Sequence, residues 1–252
     1  MNPDNQIRAY FRTLYAVWGH QHWWPAESQF ETIVGAYLTQ NTSWTNVERA
    51  LHSLRAARVL SVNGIRRTPR QELEKLIRSS GYFRQKAQRL KTFVQFLDKN
   101  YAGSLVRMFA QPTAKLRQEL LSLNGVGPET ADSILLYAGN HESFVVDAYT
   151  RRILERHSLL EPSATYEEIR ELFHRALGPL VAEPLECAAS PNGGPAGSCH
   201  PPSKMSTAKR EALVQIFNEM HALIVGLGKS YCKKSQTDCE RCPLNKFLPA
   251  AK

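Results

Sequence analysis

Two stretches of the chain combine residue types that could grip an anion and act on it. Gly125-Val126-Gly127 lies between two segments with helical patterns. Glycines let a backbone approach a partner closely and turn N–H groups toward an anion such as phosphate. Asp147 follows 20 residues beyond Gly127, after an apolar run and before an arginine-rich segment. A phosphate grip near an acid suggests chemistry on nucleic acid.

The charge balance agrees with a polyanionic partner. The 252 residues carry a formal net charge of +9, and the sequence pI is about 9.4. A basic but otherwise ordinary soluble enzyme would show the same balance. No apolar run reaches the roughly 20 residues that span a bilayer, so we expect no membrane partner. The N-terminus resembles no secretory signal, so we expect a cytoplasmic (nucleoid-associated) or otherwise intracellular protein.

Apolar residues recur at helical spacing along almost the whole chain, and no alternating strand pattern is visible. We expect an all-α fold of two helical lobes with a cleft between them. Residues 184–206 hold five prolines and three glycines and predict a flexible insert. The pattern predicts helices over residues 5–17, 28–40, 45–57, 69–77, 85–97, 115–122, from 128 onward, 148–157, 166–177 and 207–227.

These motifs resemble a known family. The hairpin segment Leu123–Gly127, Asp147 and the C-terminal cysteines resemble the helix-hairpin-helix DNA glycosylases of the endonuclease III superfamily, over roughly residues 30–244. The segments His22–Pro25 and Leu38–Trp44 resemble one branch, the endonuclease III-type 3-methyladenine DNA glycosylases.

The resemblance implies two α-helical domains that flank a DNA-binding cleft. Residues 27–140 would form the lobe with the hairpin. Residues 1–26 and 141–252 would form the second lobe, which ends in a cysteine loop. The expected partner is double-stranded DNA with a flipped damaged base, and the expected state is a monomer.

Asp147 is the candidate catalytic acid. Hydrolysis of an N-glycosidic bond passes through a sugar with oxocarbenium character, which a nearby carboxylate stabilises while water attacks. The resemblance assigns this role to Asp147. Because Asp147 precedes a predicted helix, it is also a natural N-cap, and both roles can hold together.

Glu129 bears on the type of glycosylase. Family members that also cut the DNA backbone carry a lysine two residues after the second hairpin glycine, where its amine forms a Schiff base. Here Gly127 is followed by Pro128 and Glu129, so the resemblance implies a monofunctional enzyme without lysine-dependent lyase activity. Glu129 either faces the base pocket or is a first-turn glutamate favoured by the helix dipole.

Aromatic residues suggest an alkylated purine as the substrate. A flipped base needs π faces around it, and a cationic base such as 3-methyladenine is attracted to electron-rich rings. Trp24 and Trp44 are the candidate walls of the base pocket, with Trp23 as a substitute for Trp24. Packing in the core is the alternative for each of them.

Several residues are candidates for contacting DNA. The resemblance places Gln40 and Asn41 near the gap left by a flipped base, although a polar helix end is the alternative. The backbone of Gly125, Val126 and Gly127 should bind phosphate, with Arg151 adding charge. In this family the hairpin can also hold a monovalent cation. A basic stripe at Arg84, Lys86, Arg89 and Lys91 is ordinarily a solvated helix face.

Cys232, Cys239 and Cys242 reproduce the first three ligand positions of the family's [4Fe–4S] loop. The fourth position holds Leu248. Cys187, Cys199 or a non-cysteine ligand could complete a cluster, and a zinc site or a loop without metal are the alternatives.

Two other functions stay open. The chain could be a glycosylase for another lesion, such as uracil or a mismatched thymine, which would demand more hydrogen bonding from the pocket. It could also be a non-catalytic helix-hairpin-helix DNA-binding module.

Overall fold

The computed structural model describes residues 2–182 and 202–249. Within these residues the chain forms twelve α-helices and no β-strand, which confirms the expected all-α fold. Most of the predicted insert, together with Cys187 and Cys199, lies outside the described residues. The helices are α1 Pro3–Trp18, α2 Gln29–Thr39, α3 Trp44–Ala56, α4 Val62–Arg67, α5 Arg70–Leu76, α6 Phe83–Tyr101, α7 Leu105–Phe109, α8 Thr113–Leu121, α9 Pro128–Ser133, α10 Ala148–Arg156, α11 Tyr166–Leu177 and α12 Ala212–Ser230.

The chain divides into two compact units. One is continuous and comprises residues 26–141. The other is built from both ends of the chain, residues 1–25 and 142–252.

In the 26–141 unit the central helix is α2. Every side chain from Phe30 to Leu38 is buried, because α2 packs against α3, α6 and the π-helical turn Ile134–Ala138 that continues α9. Ser28 caps α2 by accepting a hydrogen bond from the Glu31 N–H at 3.2 Å. The burial of α2 fixes the loop that follows it, where several candidate site residues lie.

In the second unit the central helix is α12, which packs against α1, α10 and α11. Its side chains are buried on most of its circumference between Val214 and Gly228. A capping box formed by Thr165 and Glu168 begins α11. In the described part of the chain, α12 included, no helix has the length and apolar character needed to cross a membrane.

Two short helices, α4 and α7, were not predicted from the sequence. Each buries a single apolar side chain, Ile65 in α4 and Met108 in α7, so neither can show a helical repeat. Their serine caps, Ser61 and Ser104, are the local signals that mark them. Helix α12 begins at Ala212, not near residue 207, because residues 203–207 form a serine-bonded turn.

Candidate functional site

The hairpin is a tight turn between α8 and α9. The Val126 N–H donates to the Leu123 carbonyl at 3.0 Å, and Gly127 is the N-cap residue of α9. Gly125 has a φ of +79°, a left-handed conformation that glycine adopts without strain. A Cβ at Gly125 would also overlap the Arg89 guanidinium, so a larger residue there would displace Arg89 as well as strain the backbone.

The turn narrows the set of N–H groups that could bind phosphate. The Val126 N–H is used within the turn, and its side chain is buried. Of the three residues predicted to bind phosphate through their backbone N–H groups, Gly125 and Gly127 therefore remain as candidates. Gly127 is exposed, and a Cβ there would meet nothing within 4 Å, so a partner can approach its backbone. Glu129 is exposed in the first turn of α9.

Gln40 and Asn41, adjacent in sequence, have different surroundings. The Gln40 amide donates to the Gly125 carbonyl at 3.0 Å and to the Thr130 hydroxyl at 2.9 Å, and it accepts from Arg89 Nη1 at 2.6 Å. Asn41 is exposed with a φ of +54°. The structure thus turns Gln40 toward the hairpin and Asn41 toward solvent.

The basic stripe on α6 is not a uniform solvated face. Lys86 is only 1% exposed, and its Nζ donates to the carbonyls of Leu38 at 2.9 Å and Ser80 at 2.6 Å. Burial lowers the pKa of Lys86 to about 8. Lys91 donates to the Ile65 carbonyl at 2.6 Å. Periodicity placed these residues on a helix but gave no sign that their charges are used inside the unit.

Tyr82 is a surface aromatic that the sequence reasoning missed. It is 66% exposed with a φ of +45°, at the start of α6. The guanidinium groups of Arg78 and Arg84 lie 6.0 and 5.9 Å from the centroid of the next ring, Phe83. Gly81, with a φ of +66°, was the only available signal, since glycine marks turns.

Asp147 lies in the unit formed by residues 1–25 and 142–252, at the N-cap of α10. Its Oδ1 accepts from the Thr150 N–H at 2.7 Å and from the Thr150 hydroxyl at 2.9 Å. Its Oδ2 lies 3.6 Å from Nε2 of His221 on α12. Asp147 therefore caps α10 as expected, and the cap uses Oδ1 only. Its Oδ2 is directed toward His221.

Asp147 is held as an anion in a sheltered position. Its side chain is 12% exposed. Burial works to raise the pKa of Asp147, but His221 and the Thr150 hydrogen bonds outweigh it, so the pKa lies below its ordinary value of 3.8. A carboxylate with a low pKa is a poor proton acceptor and a good source of negative potential.

The three candidate tryptophans differ in exposure. Trp24 is 8% exposed with a φ of +66°, so it serves largely as core. Trp23 is half-buried; its ring meets the His221 ring edge-on at 6.0 Å, and Lys229 Nζ lies 5.9 Å from its centroid. Trp44 belongs to the other unit and donates from Nε1 to Glu48 at 2.9 Å. Trp23 and Asp147 therefore share His221 as a neighbour.

A buried carboxylate anchors the segment that carries Trp23. Glu219 Oε2 accepts from the Gln21 N–H at 2.8 Å, and its Oε1 lies 3.2 Å from Nδ1 of His20. Burial raises the pKa of Glu219 to about 7 and lowers that of His20 to about 4. Nothing in the sequence linked residue 219 to residues 20–21.

The arginines of α10 hold neighbouring loops. Arg151 Nη1 donates to the Ala164 carbonyl at 2.6 Å. Arg152 Nε donates to the Cys232 carbonyl at 2.8 Å, and Arg156 Nη1 lies 3.1 Å from Cys232 Sγ. The Arg156 guanidinium also donates to the Lys233 carbonyl. Hydrogen bonds from Arg152 and Arg156 thus connect α10 to the beginning of the cysteine loop.

The cysteines do not fit a four-thiolate cluster within the described residues. Cys232 is buried, Cys239 and Cys242 are half-buried, and Leu248 follows the 3₁₀ turn Asn245–Phe247. No group of three or more His, Cys, Asp or Glu side chains in residues 2–182 and 202–249 is arranged to hold a metal ion.

Comparison with known proteins places the chain in a family. The family model "HhH-GPD superfamily base excision DNA repair protein" matches residues 34–179, more than half of the chain. Over 248 residues the chain is 40% identical to "Putative DNA repair glycosylase MJ1434" of Methanocaldococcus jannaschii, covering 98% of this chain and 97% of that protein.

Two solved structures have the same fold. The H. pylori 3-methyladenine DNA glycosylase MagIII bound to 1,N6-ethenoadenine is 26% identical, has a TM-score of 0.69, and covers 91% of this chain and 98% of its own. A trapped endonuclease III–DNA covalent intermediate is 20% identical, has a TM-score of 0.70, and covers 98% and 96%. At 20% identity, the similarity to the endonuclease III complex shows a shared fold only. The chain belongs to the HhH-GPD superfamily of base excision DNA repair proteins and is a DNA glycosylase of that superfamily.

Proposed function

We propose that this glycosylase is monofunctional and removes alkylated purines, such as 3-methyladenine, from double-stranded DNA. The observation that carries the proposal is the state of Asp147: an ionised carboxylate, 12% exposed, with one oxygen fixed by Thr150 and the other toward His221. A fixed anion of this kind stabilises a developing cation without reorganising during the reaction.

In the proposed reaction the bond between C1′ and the base nitrogen breaks first. The base leaves with the electron pair, and the sugar acquires oxocarbenium character beside the Asp147 carboxylate. Water then attacks C1′ and loses its proton to solvent. The low pKa of Asp147 favours electrostatic stabilisation over proton abstraction as its main role. An N3-alkylated adenine departs as a neutral base, so no strong acid is needed.

Water, in this proposal, is the nucleophile. The position that carries the amine in lyase-active relatives is Glu129, which is exposed and has no nucleophilic nitrogen. Lys86 lies in the same unit, but it is 1% exposed and bonded to two carbonyls. A water-based reaction leaves an abasic site and an intact DNA backbone.

Trp23 is the best-supported stacking residue for the base. It is half-buried, whereas Trp24 is largely core. The Lys229 ammonium lies 5.9 Å from the centroid of the Trp23 ring, so this ring attracts a cation in the folded protein. Trp44 stays a candidate for stacking on the base.

The proposal is tested with a panel of defined lesions in duplex DNA. The panel contains 3-methyladenine, 1,N6-ethenoadenine, uracil and a mismatched thymine, with undamaged adenine as the control. Release of the alkylated purines, and of no pyrimidine, is the expected result. Preferential release of uracil or thymine would show that the substrate is a pyrimidine lesion. DNA binding without release of any base would show that the protein is a non-catalytic DNA-binding module.

A second assay addresses the nucleophile. Borohydride is added during turnover to trap any Schiff base between an amine and the sugar. We expect no protein–DNA adduct and an abasic product that is cleaved only after alkali treatment. A trapped adduct would contradict the water-based reaction while leaving the glycosylase activity intact.

A further inference from the structure

The cysteine loop, residues 232–248, lacks one of the four side chains that a four-thiolate cluster binds. Its thiols are Cys232, Cys239 and Cys242, and a half-buried leucine, Leu248, stands at the fourth ligand position. An aliphatic side chain has no lone pair to offer to iron. Among the residues that the structure describes, no three His, Cys, Asp or Glu side chains, these thiols included, are arranged around a common metal position. Hydrogen bonds hold the loop instead, and they act at both of its ends.

Arg156, in the last turn of α10, binds the beginning of the loop. Its Nη1 donates to Cys232 Sγ at 3.1 Å and to the Lys233 carbonyl at 2.8 Å. Its Nη2 donates to the Lys234 carbonyl at 3.2 Å. One rigid, permanently charged guanidinium therefore holds three consecutive residues. The sulfur that would be the first ligand of a cluster faces a positive charge that the chain itself supplies.

The next residue, His157, binds the other end of the loop. It is hydrogen-bonded to the backbone carbonyl of Phe247, the residue before Leu248, and its Nδ1 lies 2.7 Å from the Tyr10 hydroxyl. Because a carbonyl only accepts, Nε2 carries the proton that is donated to Phe247, and Nδ1 accepts from Tyr10. Gln6 Nε2 completes this network by donating to the Tyr10 hydroxyl at 2.9 Å and to the Phe247 carbonyl at 3.3 Å.

The middle of the loop is closed by contacts of its own. The Asp238 N–H donates to the Tyr231 carbonyl at 2.9 Å, and Asn245 Nδ2 donates to the Cys239 carbonyl at 2.7 Å. Leu244 is 1% exposed and anchors the loop in the core. Cys239 thus takes part in the closure of the loop through its backbone.

We propose that the cysteine loop of this protein folds without a metal ion, and that Arg156 and His157 fasten its two ends to α10 in place of a cluster. The two residues are adjacent in sequence, yet they hold opposite ends of the loop, because residues 232 and 247 both approach the end of this helix. The proposal departs from the cluster that the family resemblance implies. It does not depend on which base the enzyme removes.

Metal analysis is the first test. The full chain is purified under anaerobic conditions and without chelators, so that a labile cluster would be retained. Iron and zinc are measured per chain, together with visible absorption. We expect neither metal in stoichiometric amount and no iron–sulfur charge-transfer band. Stoichiometric iron or zinc would overturn the proposal, and a site completed by Cys187 or Cys199 would be detected in the same measurement.

Thermal unfolding compares the thiols with the two fastening residues. The double variant Cys239→Ser with Cys242→Ser should unfold at the wild-type temperature. Arg156→Met and His157→Phe should each lower the unfolding temperature by about 3 to 6 °C, because each removes hydrogen bonds of the loop. His157→Gln, which keeps a donor and an acceptor, is the matched control and should recover most of this loss. The opposite order, with the serine variant the least stable, would overturn the proposal.

Amide hydrogen exchange tests whether these losses are local. Arg156→Met should speed exchange at Asp238, whose N–H closes the first half of the loop. His157→Phe should speed exchange at Leu248, whose N–H donates to the Asn245 carbonyl at 3.0 Å. Exchange in α6, which belongs to the other unit, is the control for folding. Unchanged exchange at both amides, or equal acceleration along α1 and α12, would show that these residues do not act as fasteners of the loop.

Discussion

Asp147 and His221 form a close pair across two helices, with Oδ2 of the acid 3.6 Å from Nε2 of the imidazole. The other oxygen of the acid is held by Thr150 at 2.7 and 2.9 Å. Each oxygen therefore has its own neighbour, and rotation of the carboxylate would lose both. The acid is fixed in direction as well as in position.

Replacing Asp147 separates its two roles. Asparagine is as good an N-cap as aspartate, so Asp147→Asn should lose only the stability that the ionised acid gains from its neighbours, whereas Asp147→Ala should lose the cap as well, about 1 kcal/mol more. Both should lower base excision by at least about 100-fold, because the negative charge is gone. Single-turnover excision and thermal unfolding are measured side by side. Excision by Asp147→Asn at the wild-type rate would remove the acid from the mechanism.

Removing His221 should shift the pH dependence of excision. Burial alone raises the pKa of Asp147, and His221 is one of the groups that hold it below 3.8. In His221→Ala the acid limb of the rate profile should therefore move to higher pH. Asp147 stabilises the fold above its unfolded pKa, and this contribution fades as pH falls through the lower folded pKa. At neutral pH, His221→Ala should therefore have a lower free energy of unfolding than the wild type, because ionised Asp147 contributes less to it.

The control for this experiment is His221→Gln, which keeps a hydrogen-bond donor at similar reach without a charge. Its acid limb should lie between those of the wild type and the alanine variant. The single-turnover rate is followed from about pH 4 to about pH 8, the range in which carboxyl and imidazole groups titrate. Superimposable profiles for all three proteins would contradict the coupling.

Glu219→Gln should stabilise the protein above neutral pH. The pKa of Glu219 is raised to about 7 from 4.5, so the unfolded chain releases this proton first as pH rises, and the fold loses stability between these two values. Glutamine does not ionise, and the variant should gain about 2 to 3 kcal/mol at alkaline pH over the wild type. Denaturant unfolding at several pH values measures the difference, which should vanish below about pH 4. An equal gain at every pH would point to packing as its source.

The two hairpin glycines should respond differently to substitution. Gly125→Ala forces a left-handed alanine and an overlap with Arg89, so both stability and DNA affinity should fall, stability by about 1 to 3 kcal/mol. Gly127→Ser places its Cβ in open space at an N-cap, where serine is favoured, so stability should hold. A partner that approaches the Gly127 backbone should still bind this variant less tightly. Anisotropy titration and thermal unfolding give the two quantities, and an unchanged affinity for Gly127→Ser would mean that DNA does not approach this glycine closely.

A buried ion pair anchors α8 to α9 on either side of the hairpin. Arg117 donates from Nε and Nη2 to the two oxygens of Asp132 at 2.7 and 3.0 Å, and the Asp132 side chain is fully buried. Arg117→Met should destabilise the fold by about 3 to 5 kcal/mol, because it removes the counter-charge and both hydrogen bonds that Arg117 gives to the buried carboxylate. Restoration of most of this stability by the double variant Arg117→Met with Asp132→Leu is the check, measured by denaturant unfolding.

Much of the architecture was predictable because it depends on local signals. The 3.6-residue repeat marked α1, α2 and α11, and the N-cap preference of aspartate marked the start of α10. The positions of the hairpin and of Asp147 followed from the same signals. Local signals failed for α4 and α7, which are too short to repeat.

The environment of each side chain was much harder to predict. Lys86 and Arg89 looked like members of a solvated stripe, yet one is buried and the other holds Gln40 and Gly125. His221 lies on the most apolar helix of its unit and bears no sequence sign of its approach to Asp147. Such relations arise where elements distant in sequence pack together, and no local repeat encodes them.

The helix that Asp147 caps is held at three residues, by α12 and by the loop that follows α12. Tyr149 packs where a Cβ at Gly228 would overlap its ring, while Arg152 and Arg156 hold the loop that follows α12. A methyl group at residue 228 would overlap the Tyr149 ring, so the ring or one of the two helices would have to move. Asp147 caps the helix that carries Tyr149, so the absence of a side chain at residue 228 helps to set the direction of the carboxylate. A steric change on the neighbouring helix should therefore disturb the acid, as a change of its charge would.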